Sequence, residues 1–404
     1  MKLSEELAWR GFVNQTTYKD MTVLDGQPIS FYFGVDPSSD SMTIGNLAAA
    51  MMVRHFVDHG HHAYLLVGGA TGMIGDPDGK ADERNLKTLD EIAKNKAGIA
   101  AQYSTVFAGK DFTLVDNYDW FKDINYLDFL RMVGKNVPLS QMLGRDFIQN
   151  RLGDGGSGIS YAEFSYALIQ GYDFVHLSRT YGVSLQVCGA DQWGNSIAGV
   201  DLIRRLDGNV AHVYSTPLVI NKATGAKFGK SEGGAVWLDS TKTSVYSFYQ
   251  FWLNADDGGV IDYLKIFTLL SRPEIEALEV QTNEQPGRRA AQKALAAAVT
   301  TLVHGHERTA SVARVTDVLF GAADFATLQA KDLDTLAVEI PVGSIGSSVI
   351  DILVAHHIVG SNGEAKRLIE GGAISINGTK IESNDTITST SLIKKGKNSF
   401  ILVR

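Results

Sequence analysis

Apolar residues first cluster in ISFYFG, from Ile29 to Gly34, which predicts a buried strand that breaks at Asp36-Pro37, where proline cannot continue a sheet. A helix is predicted from near Ile44, its apolar positions Leu47, Met51, Val53 and Phe56 running to a stop at Gly60. A second strand, AYLLVGG from Ala63, leads into a glycine-rich loop through Asp76-Pro77-Asp78-Gly79. The alternation returns with FTLVDN over 112–117, helical patterns from Tyr126 to about Phe174, and the strand SLQVCG over 184–189. This order predicts an α/β fold with a doubly wound, Rossmann-like parallel sheet. Ligands in such sheets sit beyond the carboxyl ends of the strands, so the loops after Gly34, Gly69, Asn117 and Gly189 are expected to share one pocket.

From Ser244 to about Phe320 the periodicity turns helical nearly throughout, in VYSFYQFWL, VIDYLKIFTLL, RPEIEAL, RRAAQKALAAAVTTLV and ERTASVARVTDVLF. Residues 321–345 are less periodic, end in PVGSIGSS and read as a linker. A compact tail follows, with helices VIDILVAHHI and GEAKRLIEGG and strands AISING and SFILVR. The resulting division is 1–240 for the sheet domain, 241–325 for an all-α domain, 326–345 for the linker and 346–404 for a small α+β domain.

Composition narrows the class. The 404 residues are 44% hydrophobic and 20% charged, the balance of a soluble chain of two or three domains. Cys188 is the only cysteine, so neither an intrachain disulfide nor a zinc cluster is on offer, no metal site is expected, and a reducing, cytoplasmic location fits. Hydrophobic stretches stop well before the roughly 20 residues of a membrane span. A net charge of -8 argues against coating nucleic acid by bulk electrostatics. From Pro341 onward, however, seven Lys or Arg stand against five Asp or Glu, and a basic tail on an acidic body points to a local RNA contact.

Two elements carry candidate chemistry. Asp36-Pro37-Ser38 and Thr43-Ile44-Gly45-Asn46 put small residues where a strand hands over to a helix N-terminus, whose unpaired N–H groups let phosphate approach. Lys227-Phe228-Gly229-Lys230-Ser231 makes a cationic lid suited to a polyphosphate. A third feature is a stripe: Tyr166, Gln170 and Asp173 fall at i, i+4 and i+7 and project from one helix face. Phe164, Ala167, Leu168, Ile169 and Phe174 bound that stripe, so the helix is expected to be largely buried and its polar face to need partners.

The first two elements resemble the HIGH and KMSKS signatures of class I aminoacyl-tRNA synthetases, and KFGKS is the form typical of the tyrosyl family of bacterial type. VGGATGMIGDPDGK at 67–80, NYDW at 117–120, SYALIQGYDF at 165–174 and GADQWGN at 189–195 resemble the same family. Thr43 and Asn46 stand where the signature has histidines, and Phe33 where some relatives carry a small polar residue against the ribose. The resemblance implies activation of L-tyrosine with ATP and Mg²⁺, then transfer to tRNA(Tyr). It implies that Tyr32 and Asp173 bind the phenolic hydroxyl, that Asp76, Tyr166 and Gln170 hold the ammonium, that Gln192 lies near the carboxylate and that Asn117 is a polar residue of the pocket. Asp36, Gly45, Asn46, Gly189 and Asp191 would line the nucleoside site, and Ser38, Thr43, Lys80, Arg84, Lys227 and Lys230 would face the phosphates. It further implies a homodimer built on an insertion around 118–160, a helical domain that reads the anticodon region, and an S4-like tail in which Lys366 and Arg367 meet RNA.

Two rivals stand beside this reading. A tryptophanyl-type synthetase shares the fold and signatures, although Tyr32 with Asp173 suits a phenol better than an indole. A paralogue kept as an RNA-binding or regulatory protein would have lost adenylation through Thr43.

Overall fold

The computed structural model describes residues 1–77, 86–144, 146–153, 155–222, 224–225, 228, 230–231, 234–321 and 323–404. They form two units, one of Met1–Thr243 with Asn254–Val299 and one of Ser244–Leu253 with Thr300–Arg404.

The first unit is built on a six-stranded sheet of β1 (Gln15–Thr16), β2 (Ser30–Val35), β3 (His62–Val67), β4 (Phe112–Asp116), β5 (Leu185–Gly189) and β6 (His212–Thr216). Their order is β1-β6-β5-β2-β3-β4. Every neighbouring pair runs parallel except β1 with β6. In β2 the consecutive residues Phe31, Tyr32 and Phe33 are all buried, as a central parallel strand with both faces covered requires. The chain leaves β2 toward β3 and β4, then returns on its other side as β5 and β6. The order therefore reverses between β2 and β5, and a ligand crevice is expected at their carboxyl ends.

The strands expected from the sequence appear within one or two residues of their predicted bounds, but β1 and β6 escaped it. β6 ends in the buried polar residues Ser215 and Thr216, and Ser215 is satisfied only from afar, accepting from the Gln15 N–H at 3.2 Å. The helical pattern from Tyr126 onward is not continuous either. It breaks into Tyr126–Met132, Leu139–Leu143 and Asp146–Leu152 before the long helix Tyr161–Tyr181 begins, with Pro138 and a run of glycines between 153 and 158 at the breaks.

In the second unit, strands Val342–Gly343, Ile374–Ile376, Thr379–Lys380, Ser391–Lys395 and Ser399–Val403 form one sheet. Period-two alternation splits its faces. Ile393, Ile401 and Val403 pack with helices Val349–Ala355 and Asn362–Glu370, while Leu392, Phe400 and Leu402 pack with Val315, Leu319 and Leu336. Leu336 belongs to a helix, Ala330–Glu339, inside the stretch that reads as a linker. Local pattern hid it because a tertiary ion pair holds it: Asp332, fully buried, accepts from Arg314 Nε and Nη2 at 2.8 Å each and from the Gln329 N–H at 2.9 Å. Asp332→Ala leaves those donors without their acceptor and is expected to cost about 1–3 kcal/mol. Thermal unfolding followed by circular dichroism checks this.

Candidate functional site

At the carboxyl ends of β2 and β5 the first unit encloses a cavity of about 380 Å³, within the range of small-molecule sites. Strand β2 contributes Tyr32 to Val35 and leads into Asp36 and Ser38, while the turn and first residues of helix Ile44–Asp58 contribute Thr43, Gly45 and Asn46. Helix Tyr161–Tyr181 presents Tyr166, Gln170 and Asp173, and Gly189, Asp191 and Gln192 follow β5. Asp76 closes the side. The i, i+4, i+7 stripe thus faces a cavity rather than bulk water.

Asp173 is almost fully buried, and both its oxygens are occupied by donors behind it. Oδ2 accepts from Asn117 Nδ2 at 3.1 Å and Oδ1 from Trp120 Nε1 at 2.9 Å. Burial drives its carboxyl well above the ordinary range, against the pull of those two bonds. Asn117 is in turn fixed by donating to Thr71 Oγ1 at 3.1 Å and accepting from the Ala70 N–H at 2.7 Å, and Trp120 stacks on His176 at 4.4 Å. Tyr32 lies close enough for Asp173 to raise its phenol further after burial has done so. Its hydroxyl is buried without a hydrogen-bond partner among the described residues. An orphaned hydroxyl beside a buried acid is a costly arrangement unless a ligand completes it.

Further along, the Tyr166 hydroxyl donates to Asp36 Oδ2 at 2.7 Å, and Gln192 Nε2 donates to Asp76 Oδ2 at 2.5 Å. Burial, then Asp36 and Asp76, raise the Tyr166 phenol far above its usual value. Three carboxyl groups, Asp36, Asp76 and Asp173, act on this one side chain, and such a cluster of acceptors suits a cation. Gln170 Oε1 is buried without a partner among the described residues, an acceptor available to the same cation. Close approach is built into the backbone here: a Cβ on Gly68 would lie 2.1 Å from Thr71 Oγ1 and 2.4 Å from Asp36 Oδ1.

At the opposite end Thr43 caps helix Ile44–Asp58. Its N–H and its hydroxyl both donate to Asn46 Oδ1, each at 2.9 Å. Asn46 therefore spends its carbonyl on the cap and keeps its amide N–H₂ for a ligand. The positive end of this 15-residue helix opens on the cavity, where an anion is favoured.

The structure gathers most of the expected site residues in this one cavity, with exceptions. Asn117 does not line it: fully buried, it stands behind Asp173 and orients it. The loop after Asn117 thus supports the wall rather than forming it, whereas the loop after Gly69 lines the cavity through Thr71 and Asp76. Lys80, Arg84 and Lys227 lie outside the described residues, and so does the side chain of Lys230. In the second unit, Lys366 and Arg367 are exposed on helix Asn362–Glu370, with Lys366 3.9 Å from Glu370. Sequence reasoning missed Thr71, Gln186 and the Thr216 to Val219 wall, and it passed over Trp120 inside NYDW. An indole N–H three residues after Asn117 in a recognised motif was the available signal for Trp120.

Comparison with known proteins places these features in a group. The family model for tRNA synthetases class I (W and Y) matches residues 24–321, and that for the tyrosine–tRNA ligase SYY-like C-terminal domain matches 329–404. The chain is 42% identical to the tyrosine–tRNA ligase of Staphylococcus saprophyticus, over 99% of this chain and 98% of that one. It is 42% identical to the tyrosine–tRNA ligase of Bacillus caldotenax over the full length of both. Among solved structures, a C-terminally truncated mitochondrial tyrosyl-tRNA synthetase of Aspergillus nidulans superposes with a TM-score of 0.69 at 30% identity, covering 77% of this chain and 92% of that one.

Proposed function

Since the chain belongs to the class I tRNA synthetases (W and Y), we propose that its cavity joins L-tyrosine and ATP as tyrosyl-adenylate and passes the tyrosyl group to the 3′ end of tRNA(Tyr). The observation that carries the choice of amino acid is the unpartnered Tyr32 hydroxyl buried beside Asp173. A phenol offers one donor and one acceptor to that pair. Phenylalanine offers neither, and the indole of tryptophan has only a donor. Asp76, Tyr166 and Gln170 take the ammonium, and Gln192 lies near the carboxylate.

The chemistry needs no general base, because the attacking carboxylate is already ionised at neutral pH. One of its oxygens bonds to the α-phosphorus while the bond from that phosphorus to the β-phosphate bridge breaks, and pyrophosphate leaves. The protein has to align the two reactants and stabilise charge on the leaving group. Asp36, Gly45, Asn46, Gly189 and Asp191 hold the nucleoside, with Asp191 accepting from a ribose hydroxyl. Ser38, Thr43, Lys80, Arg84, Lys227 and Lys230 face the phosphates, and Mg²⁺ enters with ATP as part of the substrate. A terminal ribose hydroxyl of tRNA then attacks the tyrosyl carbonyl, and AMP departs. Residues 241–325 read the anticodon region, and the tail from 346 contacts RNA through Lys366 and Arg367. The test is ATP–pyrophosphate exchange, which is expected with tyrosine and absent with tryptophan. Exchange driven by tryptophan, or by neither, contradicts the reading.

The working form is a homodimer. Six large apolar side chains, Tyr118, Tyr126, Leu127, Leu139, Leu152 and Tyr161, are 40% to 71% exposed within residues 118–161. The Tyr126 and Tyr161 hydroxyls meet at 3.2 Å, so both ends of this segment share one surface. A concentration of that kind marks an interaction face. Leu127→Asp is expected to shift the protein from dimer to monomer in sedimentation velocity without lowering its thermal midpoint. The compartment is taken as cytoplasmic from the single, buried cysteine; no helix among the described residues is long and apolar enough to cross a membrane.

A further inference from the structure

We propose that Asp116, outside the cavity, is a positioning residue for amino acid recognition: one of its oxygens locks the turn after β3 to the turn after β4 and so sets both donors behind Asp173. The inference deepens the proposed activation of tyrosine and rests on it. Asp116 is the last residue of β4 and stands opposite Val67, the last residue of β3, in the parallel register. The two turns therefore leave the sheet side by side. Asp116 Oδ1 accepts from the Tyr118 N–H at 2.9 Å and from the Gly69 N–H at 3.0 Å. The first bond closes an Asx turn, which fixes the backbone at Asn117. The second reaches an N–H that also donates to Val67 O at 2.9 Å, and it ties one turn to the other. Oδ2 is left to Lys96, on helix Leu89–Val106.

Both donors that hold Asp173 from behind hang on this clamp. Asn117 directly follows Asp116, and Trp120 lies on the short helix Tyr118–Phe121, whose first N–H is the one that Asp116 accepts. Asn117 takes the Ala70 N–H on Oδ1 and reaches Thr71 Oγ1 and Asp173 Oδ2 with Nδ2, so its bonds form only while the two turns stay in step. Thr71 carries the same turn on to the cavity wall. Gly69 shows how close the two turns are. A Cβ there would lie 2.3 Å from Asp116 Oδ1 and 3.0 Å from its Cγ and Oδ2, its three nearest atoms. The φ of Gly69 lies outside the left-handed region, so Asp116, and not backbone strain, is what excludes a side chain at this position. What the clamp requires is an acceptor in place rather than a charge, because the oxygen of an asparagine accepts the same two bonds.

Pyrophosphate exchange tests this in Asp116→Ala, Gly69→Ala, the double variant, Asp116→Asn and Lys96→Met. Asp116→Ala is expected to raise KM for tyrosine about ten- to thirtyfold and to leave KM for ATP within about twofold, because only the recognition end loses its support. Gly69→Ala should act alike by pushing the carboxyl aside. The double variant should be no worse than the worse single one, since removing the Asp116 side chain makes room for the new Cβ. Asp116→Asn should recover most of the affinity, and Lys96→Met should match the wild type. A loss in either of these two as large as in Asp116→Ala overturns the inference, as do wild-type kinetics in Asp116→Ala, additive losses, or an equal rise in KM for ATP. A second arm does not depend on activity. In hydrogen–deuterium exchange read by mass spectrometry, the amides of 69–71 and 118–120 are expected to exchange at least about tenfold faster in Asp116→Ala, and at near wild-type rates in Asp116→Asn. Unchanged rates in Asp116→Ala overturn the inference too. Lost protection in Asp116→Ala, where the wild type shows no tyrosine-driven pyrophosphate exchange, upholds the clamp and counts against tyrosine activation alone.

Discussion

Asp173→Asn is expected to lower kcat/KM for tyrosine in pyrophosphate exchange by about 10²- to 10³-fold while leaving the chain folded. The size follows from the two donors behind the side chain. Asn117 Nδ2 and Trp120 Nε1 each give a hydrogen bond to a different oxygen of Asp173. Asparagine has one oxygen, so its amide nitrogen must confront one of those donors or turn away from the phenol. A lost hydrogen bond to the buried acid and a buried donor left unsatisfied together amount to about 3–4 kcal/mol. Exchange driven by phenylalanine, which never used the contact, should change far less, so a parallel titration with both amino acids separates lost recognition from general damage. An equal fall for both would mean that the substitution disturbs the cavity as a whole.

Replacing both Lys227 and Lys230 by alanine should act on the other half of the reaction. The tyrosine site is untouched, so the affinity for tyrosine in the absence of ATP is expected to stay within about twofold of wild type. Stabilisation of the departing pyrophosphate is lost, and kcat for exchange should fall by about 10²- to 10³-fold, as when one strong donor to developing charge is removed elsewhere. Binding intact with turnover lost is the signature of an interaction made in the transition state. A fall in tyrosine affinity of the same size would place the lysines on the amino acid instead. The two sets of variants thus divide the cavity into a recognition end and a leaving-group end.

How far these roles were legible in the sequence depended on whether a local period carried them. Tyr166, Gln170 and Asp173 could be placed on one face because the helical period is fixed, and all three line the cavity. β2 and β5 announced themselves as short apolar runs ending in glycine or aspartate. What failed was whatever a distant partner decides. Asn117 sits in a recognised motif, but whether it faces a ligand or stands behind Asp173 depends on a contact across 56 residues. Asp332 fell inside the stretch that reads as a linker because Arg314, its partner, lies on another helix. The stack of Phe228 on Tyr263 joins a loop to a helix more than thirty residues away, and no pattern in either segment points to the other.

The account turns on a phenol being completed by Tyr32 and Asp173. Calorimetric titration of the protein with L-tyrosine and L-phenylalanine, without ATP, tests that most directly. Tyrosine is expected to bind at least about 100-fold more tightly than phenylalanine, the cost of leaving two buried polar groups without their ligand. Equal affinities for the two amino acids would contradict it.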